Sequence, residues 1–375
     1  MMALSRADTS VVGRWWWTVD RWTLAALLML VGFGYVMLLA ASPGVAQRIG
    51  ASSRDIFILK QVFFLAAATG VMVAISLMSV KQVRRVALLG FLGALLLTAA
   101  TLSIGVEIKG ARRWIHLPGM TIQPSEFLKP CFAVVAAWLL AEARTLGRWA
   151  PAAAIVMFLM VVAVLAKQPD IGMLLVVASV FCAQLFIVGI NMMLVGVCGV
   201  AGVLGAIAAY FTLPHFQSRI DRFLDPASGD TYQVTIAMEA FGHGGLLGVG
   251  PGEGRLKGLL PDAHADFVYA VAGEEFGLVI LLLILGVFGF IVLRGLLRLL
   301  GEKDMFIILA ATGLLTQFGL QAFINMGSAL HLIPTKGMTL PFISYGGSSV
   351  VAVAAGMGML LALTRRRIAR MAEGA

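Results

Sequence analysis

Charge is scarce in this chain. Aspartate, glutamate, lysine and arginine make up 13% of its 375 residues, against 60% hydrophobic ones, and an ordinary globular protein carries about 25% charged residues. That shortage excludes a water-soluble domain of the usual kind. Cysteine is scarcer still: Cys131, Cys182 and Cys198 fall inside apolar runs with no metal-like spacing, so they read as packing residues and set no redox compartment. No small-residue cleavage site follows the first apolar run, which therefore reads as a retained helix and not a removed signal. The glycine run from Gly244 to Gly254 follows no strand, and no lysine-serine or lysine-threonine pair closes it, which sets aside a nucleotide-binding loop.

What the chain does have is apolar length. Runs of about 20 residues match a bilayer, and ten are read, at about 22–41, 56–78, 86–104, 127–143, 152–167, 171–190, 192–213, 267–293, 305–325 and 346–364. The expected fold class is an all-α polytopic membrane protein of about ten transmembrane helices. Its expected parts are an N-terminal tail over 1–21, a helical domain over 22–364 with a long loop at 214–266 between helices seven and eight, and a C-terminal tail over 365–375. An even number of spans puts both tails on one side. That side holds 15 of the 28 Lys and Arg but 6 of the 19 Asp and Glu, and so the whole net charge of +9; it is placed in the cytoplasm. The outer face still keeps 13 cations, more than short translocated loops usually carry, which calls for an anionic partner there. The basic end Thr364-Arg-Arg-Arg reads first as a topology anchor, and also suits anionic lipid headgroups.

Four outer segments gather the unusual residues. In Lys109-Gly-Ala-Arg-Arg-Trp-Ile-His116, Arg112 and Arg113 have the planar, multi-donor geometry that holds phosphate. In Gln123-Pro-Ser-Glu-Phe-Leu-Lys129, Pro124 and Ser125 suit a helix start, with Ser125 as a cap. Glu126 and Lys129, three apart, share a helix face and can pair. In Lys167-Gln-Pro-Asp-Ile-Gly172, Asp170 is read as a helix cap before any chemical role. The loop Phe241–Lys257, followed by Pro261-Asp-Ala-His-Ala-Asp266, collects glycines whose amides can approach a polar headgroup. Asp266 opens the eighth apolar run beside His264, while Glu274 and Glu275 lie deeper in it and need polar partners or a wet cavity. Ile333–Ser349 carries two prolines and three glycines, which no continuous helix accommodates; it reads as a re-entrant loop lining a cavity, with Ser348 and Ser349 capping the last span.

As an ordered set, Lys109-Gly-Ala-Arg-Arg-Trp, Gln123-Pro-Ser-Glu-Phe-Leu-Lys, Gln168-Pro-Asp-Ile-Gly, Gly248-Val-Gly with Leu260-Pro-Asp-Ala-His-Ala-Asp-Phe, Gly273-Glu-Glu-Phe-Gly and Pro341-Phe-Ile-Ser-Tyr-Gly-Gly-Ser-Ser resemble the SEDS family of bacterial cell-wall synthesis, over about residues 25–365. Pro334-Thr-Lys-Gly resembles the division-type pattern more than the elongation-type one. The resemblance implies a peptidoglycan glycosyltransferase of the bacterial inner membrane, at the division septum. Such an enzyme joins lipid II into nascent glycan strands with an undecaprenyl pyrophosphate leaving group and inversion at the anomeric carbon. It further implies a class B penicillin-binding protein transpeptidase, other divisome membrane proteins and membrane lipids as partners, and no nucleic acid. The family's essential aspartate falls on Asp266; Asp262 and Ala265 stand where Glu and Thr are also expected.

The residues and the resemblance meet on one expectation. A sugar hydroxyl is a poor nucleophile and needs a base within hydrogen-bond reach, which Asp266 would supply. The departing pyrophosphate needs cations, which Arg112, Arg113, Lys129, Lys257 and Lys336 would supply alone or with a divalent cation, Mg or Mn. Glu126, His264 and Ser344 complete the candidate substrate-binding set, and Asp170, Glu274 and Glu275 the supporting one; no protein metal-ligand set is read. Two rivals stand: a lipid II flippase, disfavoured because the polar residues gather at one face and not along a midplane path, and a non-catalytic septal scaffold, which leaves Asp266 and the cations unexplained.

Overall fold

The computed structural model describes residues 10–49, 55–108, 111–117, 120–143, 147, 149–189, 192–212, 214–225, 232–260, 262–334 and 337–366. Its described helices are α1 (Val11–Thr18), α2 (Arg21–Ile49), α3 (Asp55–Ser76), α4 (Val80–Ile104), α5 (Pro124–Ala141), α6 (Trp149–Lys167), α7 (Ile171–Val188), α8 (Met192–Thr212), α9 (Pro214–Leu224), α10 (Tyr232–Gly244), α11 (Val268–Leu299), α12 (Met305–Ala329) and α13 (Gly347–Leu363). Every apolar run read from the sequence lies on one of these. Eight helices, α2 to α7, α11 and α12, are long and apolar enough to cross a membrane; the other two runs fall on α8, whose apolar stretch is Gly202–Thr212, and on α13.

α5 and α12 form the centre, packed on each other, with α7 against both and α13 against α5. Small residues permit this close approach: a Cβ at Gly313 would lie 2.5 Å from the Gln184 amide and 3.3 Å from Ala133. Gln184 supplies polar adhesion at that junction, donating to the carbonyls of Ala133 (2.6 Å) and Leu309 (3.2 Å). Phe132, Phe158 and Phe181 tie α5, α6 and α7 together, with Phe158 stacked on Phe181 at 4.7 Å. Cys131 is buried under Gly90, whereas Cys182 faces outward, so the packing role fits the first and not the second; the Cys198 side chain lies outside the described residues.

The structure adds elements that apolar periodicity did not indicate. Between α4 and α5, β1 (Val106–Ile108), β2 (Ala111–Leu117) and β3 (Met120–Ile122) form an antiparallel three-stranded sheet, too short to register as a pattern. The 214–266 loop contains α9, α10 and a 3₁₀ turn at Leu256–Gly258, and α1 lies within the N-terminal tail, where Trp15 donates its indole N–H to Ser76 at 2.9 Å.

α11 is broken at Gly277, where the backbone turns to φ 75°, ψ −178°. The glycine-rich loop fills that break. Val249 and Gly250 donate to the carbonyls of Glu274 and Glu275 at 3.0 Å each, while Leu278 and Val279 donate to the carbonyls of Gly245 (3.0 Å) and Leu246 (3.2 Å). Such close backbone contact explains the glycines: a Cβ would meet Gly273 O at 1.9 Å from Gly244, and Glu275 O at 2.2 Å from Gly248. The loop amides expected to approach a headgroup are instead spent on the helix.

Gly277→Ala should destabilise the fold, because its backbone region is almost glycine-only, costing another residue roughly 1–3 kcal/mol, and its Cβ would lie 2.4 Å from Gly248 N. A lower melting temperature in detergent is expected; an unchanged one would show that the break does not need glycine.

Candidate functional site

At the end of the bundle opposite α1 and Arg366, β2, the α6–α7 corner, the segment before α11 and the non-helical stretch 337–346 enclose a cavity of ≈ 600 Å³. Its walls carry Asp266, Asp262, Glu126, Asp170 and Arg113. Asp266 is half-buried at the mouth of α11, and a Cβ added to Gly337 would approach its Oδ2 to 3.0 Å. Glycine there leaves the carboxylate room against the facing wall.

Five hydrogen bonds fix this geometry. Asn325, fully buried in α12, donates its amide both to Asp266 O (3.1 Å) and to Met338 O (2.6 Å). Ser344 accepts from Leu340 N (2.8 Å) and donates to Ala265 O (2.5 Å). Tyr345 N donates to His264 O at 2.8 Å, and the two rings meet edge to face at 5.1 Å. Ser344 and His264 therefore brace the wall, and neither lines the cavity. Burial pushes the His264 imidazole below its ordinary pKa, with Asp262 pulling weakly the other way.

The charged candidates separate into distinct groups. Lys129, 2% exposed, pairs with Glu126 at 2.8 Å and donates to Gln321 at 2.9 Å. Gln321 in turn donates to Thr339 O at 3.1 Å, and Ser349 lies between Thr339 (2.6 Å) and Glu126 Oε2 (3.1 Å). Glu126 reaches the cavity wall, but Lys129 stays behind it. Arg113 pairs with Asp170 at 3.4 Å and donates to the carbonyls of Gln168 and Pro169. Asp170 caps α7 by accepting from Met173 N at 3.3 Å, as its position before the helix suggested. Arg112 points elsewhere, half-exposed beside Glu107 at 3.5 Å.

Lys257, Glu274 and Glu275 form a separate cluster that does not line this cavity. Lys257 binds Glu275 at 2.5 Å, and Gly252 N donates to the same carboxylate. Glu274 accepts from the amides of Arg255, Leu256 and Lys257 and lies 3.1 Å from His243. These two acids hold the 252–257 turn on α11. Lys336 lies outside the described residues, so Arg113 is the one cation among the described lining residues. No group of three His, Cys, Asp or Glu side chains suited to a metal occurs among the described residues.

Two capping assignments need correction. Ser125 accepts from its neighbour Gln123 Nε2 at 3.2 Å while Gln123 holds the N-cap position of α5 without a side-chain cap bond. Gly346 occupies the N-cap of α13, also without a side-chain cap bond. Ser348 instead accepts from Gln123 N at 3.3 Å, and Ser349 donates to Glu126, because binding across to α5 satisfies buried groups of another helix. Gln321 and Asn325 were missed; the signal was Gln317, Gln321 and Asn325 at four-residue spacing, which lines one helix face with amides.

Residues 21–368 match the model of a family described as cell cycle protein, covering FtsW, RodA and SpoVE. A probable peptidoglycan glycosyltransferase FtsW of Caulobacter vibrioides is 43% identical over 97% of this chain and 94% of its own length. One of Geobacter metallireducens is 35% identical over 93% and 96%. Among solved structures, a chain from work on the structural coordination of polymerization and crosslinking by a peptidoglycan synthase complex superposes with TM-score 0.76 at 28% identity, covering 92% of this chain and 97% of that one. The rod shape determining protein RodA of Thermus thermophilus gives 0.68 at 27%, covering 93% and 97%.

Two measurements test the wall. Lys129→Met leaves Glu126 charged and buried, an arrangement that costs about 3–5 kcal/mol; the double variant Glu126→Gln/Lys129→Met should recover most of that in thermal unfolding, and no recovery would discount the pairing. His264, with its pKa lowered in the fold, resists protonation while the unfolded chain accepts it. Stability should therefore be intact above histidine's ordinary pKa and fall as pH drops below it, and His264→Gln should remove that part of the acid-side loss.

Proposed function

The chain belongs to the FtsW, RodA and SpoVE family of polytopic membrane proteins and is a glycosyltransferase, and on that footing we propose that it polymerises lipid II into glycan strands at the division septum, with Asp266 as general base. The observation that carries the proposal is the placement of the Asp266 carboxylate on the wall of a ≈ 600 Å³ cavity, opposite Gly337. The acceptor's sugar hydroxyl gives its proton to Asp266 as its oxygen attacks the anomeric carbon from the face opposite the leaving group. The bond to undecaprenyl pyrophosphate breaks, and that group departs with the electron pair. A base so placed contributes about 10²–10⁴-fold.

Arg113 is the described cation positioned to steady the developing phosphate charge, and Lys336, next in sequence to Gly337, is proposed as a second. Glu126 and Asp170 face the same space with their charges already countered by Lys129 and Arg113. They are assigned to shaping the cavity. Hard divalent cations such as Mg or Mn are commonly held by one or two carboxylates together with substrate phosphates, and Asp262, on the same cavity wall, would be the residue to hold one while Asp266 stays the base. The expected partners are a class B penicillin-binding protein transpeptidase and other divisome membrane proteins; the likeness to a chain studied for the coordination of polymerization and crosslinking by a peptidoglycan synthase complex supports the first.

The test is polymerisation of labelled lipid II by the purified protein with its transpeptidase partner. Wild type should give polymer, and Asp266→Asn should lower the rate by at least ~10²-fold without shifting the melting temperature. Normal polymerisation by that variant would remove the base assignment. Lipid II movement between liposome leaflets with no polymer from wild type would favour transport instead.

A further inference from the structure

At the end of the bundle that carries α1 and Arg366, the last turns of α11, the start of α12 and the segment after α13 enclose a second cavity of ≈ 690 Å³. Arg294, Arg298, Arg365 and Arg366 line it, with Glu302 as the acid among them. Arg294 and Arg298 share a single carboxylate, Asp20, at 2.8 and 3.1 Å, and their charges hold it below the usual aspartate range despite the opposing effect of burial. Arg365 donates to backbone carbonyls, Leu77 O at 3.4 Å and Met78 O at 2.7 Å, and Arg366 is exposed. Four arginines set against Asp20 and Glu302 leave two positive charges in excess.

The flank of the same cavity is apolar and faces outward: Leu293 and Leu297 are 63% and 65% exposed. Topology anchors account for cations at a helix end, but not for their convergence on a cavity with a greasy outer wall. We propose that this cavity is a headgroup site for an anionic phospholipid, with its phosphodiester on Arg365 and Arg366 and an acyl chain along Leu293 and Leu297. Guanidinium groups suit this role by paired, planar donation to phosphate oxygens, and basic pockets between membrane helices take such headgroups. Asp20 holds Arg294 and Arg298 in place as a positive back wall, which a neutral phosphocholine does not compensate.

The full-length protein in nanodiscs, analysed by native mass spectrometry, tests the site with phosphatidylglycerol against phosphatidylcholine. Wild type should retain phosphatidylglycerol selectively. Each basic residue at such a surface contributes roughly fivefold in affinity, so Arg365→Gln/Arg366→Gln should lower retention about 25-fold, and Arg365→Lys/Arg366→Lys, which keeps the charge but not the paired planar donation, should fall between that variant and wild type. Leu293→Ser/Leu297→Ser should weaken retention with every arginine in place. Equal retention of the two lipids by wild type, or wild-type retention by the glutamine variant, would overturn the site. Full displacement of phosphatidylglycerol by millimolar glycerol phosphate would overturn the lipid assignment in favour of a bare phosphate site.

Discussion

The arrangement depends on the need to satisfy a non-helical backbone packed among helices. Between α12 and α13, residues 337–346 leave the helical ladder, and every amide and carbonyl so released must find a partner inside protein. Side chains provide many of them. Asn325 and Gln321 donate to Met338 O and Thr339 O, Gln61 to Ser344 O, and Ser344 accepts from Leu340 N. Asn325 also holds Asp266 O, so together with the Ser344 and Tyr345 bonds to Ala265 O and His264 O it fixes the proposed base to the wall that faces it. The site is therefore positioned by the repair of a broken backbone, by amides of α12 and by Gln61 of α3.

The same demand accounts for most of the ionised groups at this end. Lys257 with Glu275, Lys129 with Glu126 and Arg113 with Asp170 are each closed locally. A surplus of cations on a membrane protein's loops suggests an anionic ligand, yet two of these three lysines and arginines are held in pairs off the cavity wall. Burying an ion pair seldom adds stability over an apolar substitute. What such pairs supply here is direction: Glu274 and Glu275 bind particular amides of the 252–257 turn and so fix where the loop lies on α11.

The helices were legible in the sequence because twenty apolar residues have few other solutions in a chain with so little charge. The place of Asp266 on a cavity wall was legible because an acid at the start of an apolar run needs polar surroundings. Its surroundings were less so. Residue type does not distinguish a lysine that meets a ligand from one that meets a glutamate eighteen residues on, so Lys257 and Lys129 were read with Arg113, although only Arg113 reaches the cavity. The β1–β3 sheet escaped because two of its strands are three residues long and the third, Ala111-Arg-Arg-Trp-Ile-His-Leu117, shows no clean apolar–polar alternation. The amide stripe of α12 was present in the letters, at a spacing of four, but uncharged residues in an apolar helix attract less attention than charged ones.

The break in α11 has a bearing on the competing idea of transport. Discontinuous helices in transporters work because each half ends bare, so that the half-helix dipoles face an ion or a charged substrate. Here the carbonyls of Glu274 and Glu275 are taken by Val249 and Gly250, and the amides of Leu278 and Val279 by Gly245 and Leu246. Two carbonyls and two amides at the break are thus taken by the same short loop. This interrupted helix serves as a socket for that loop.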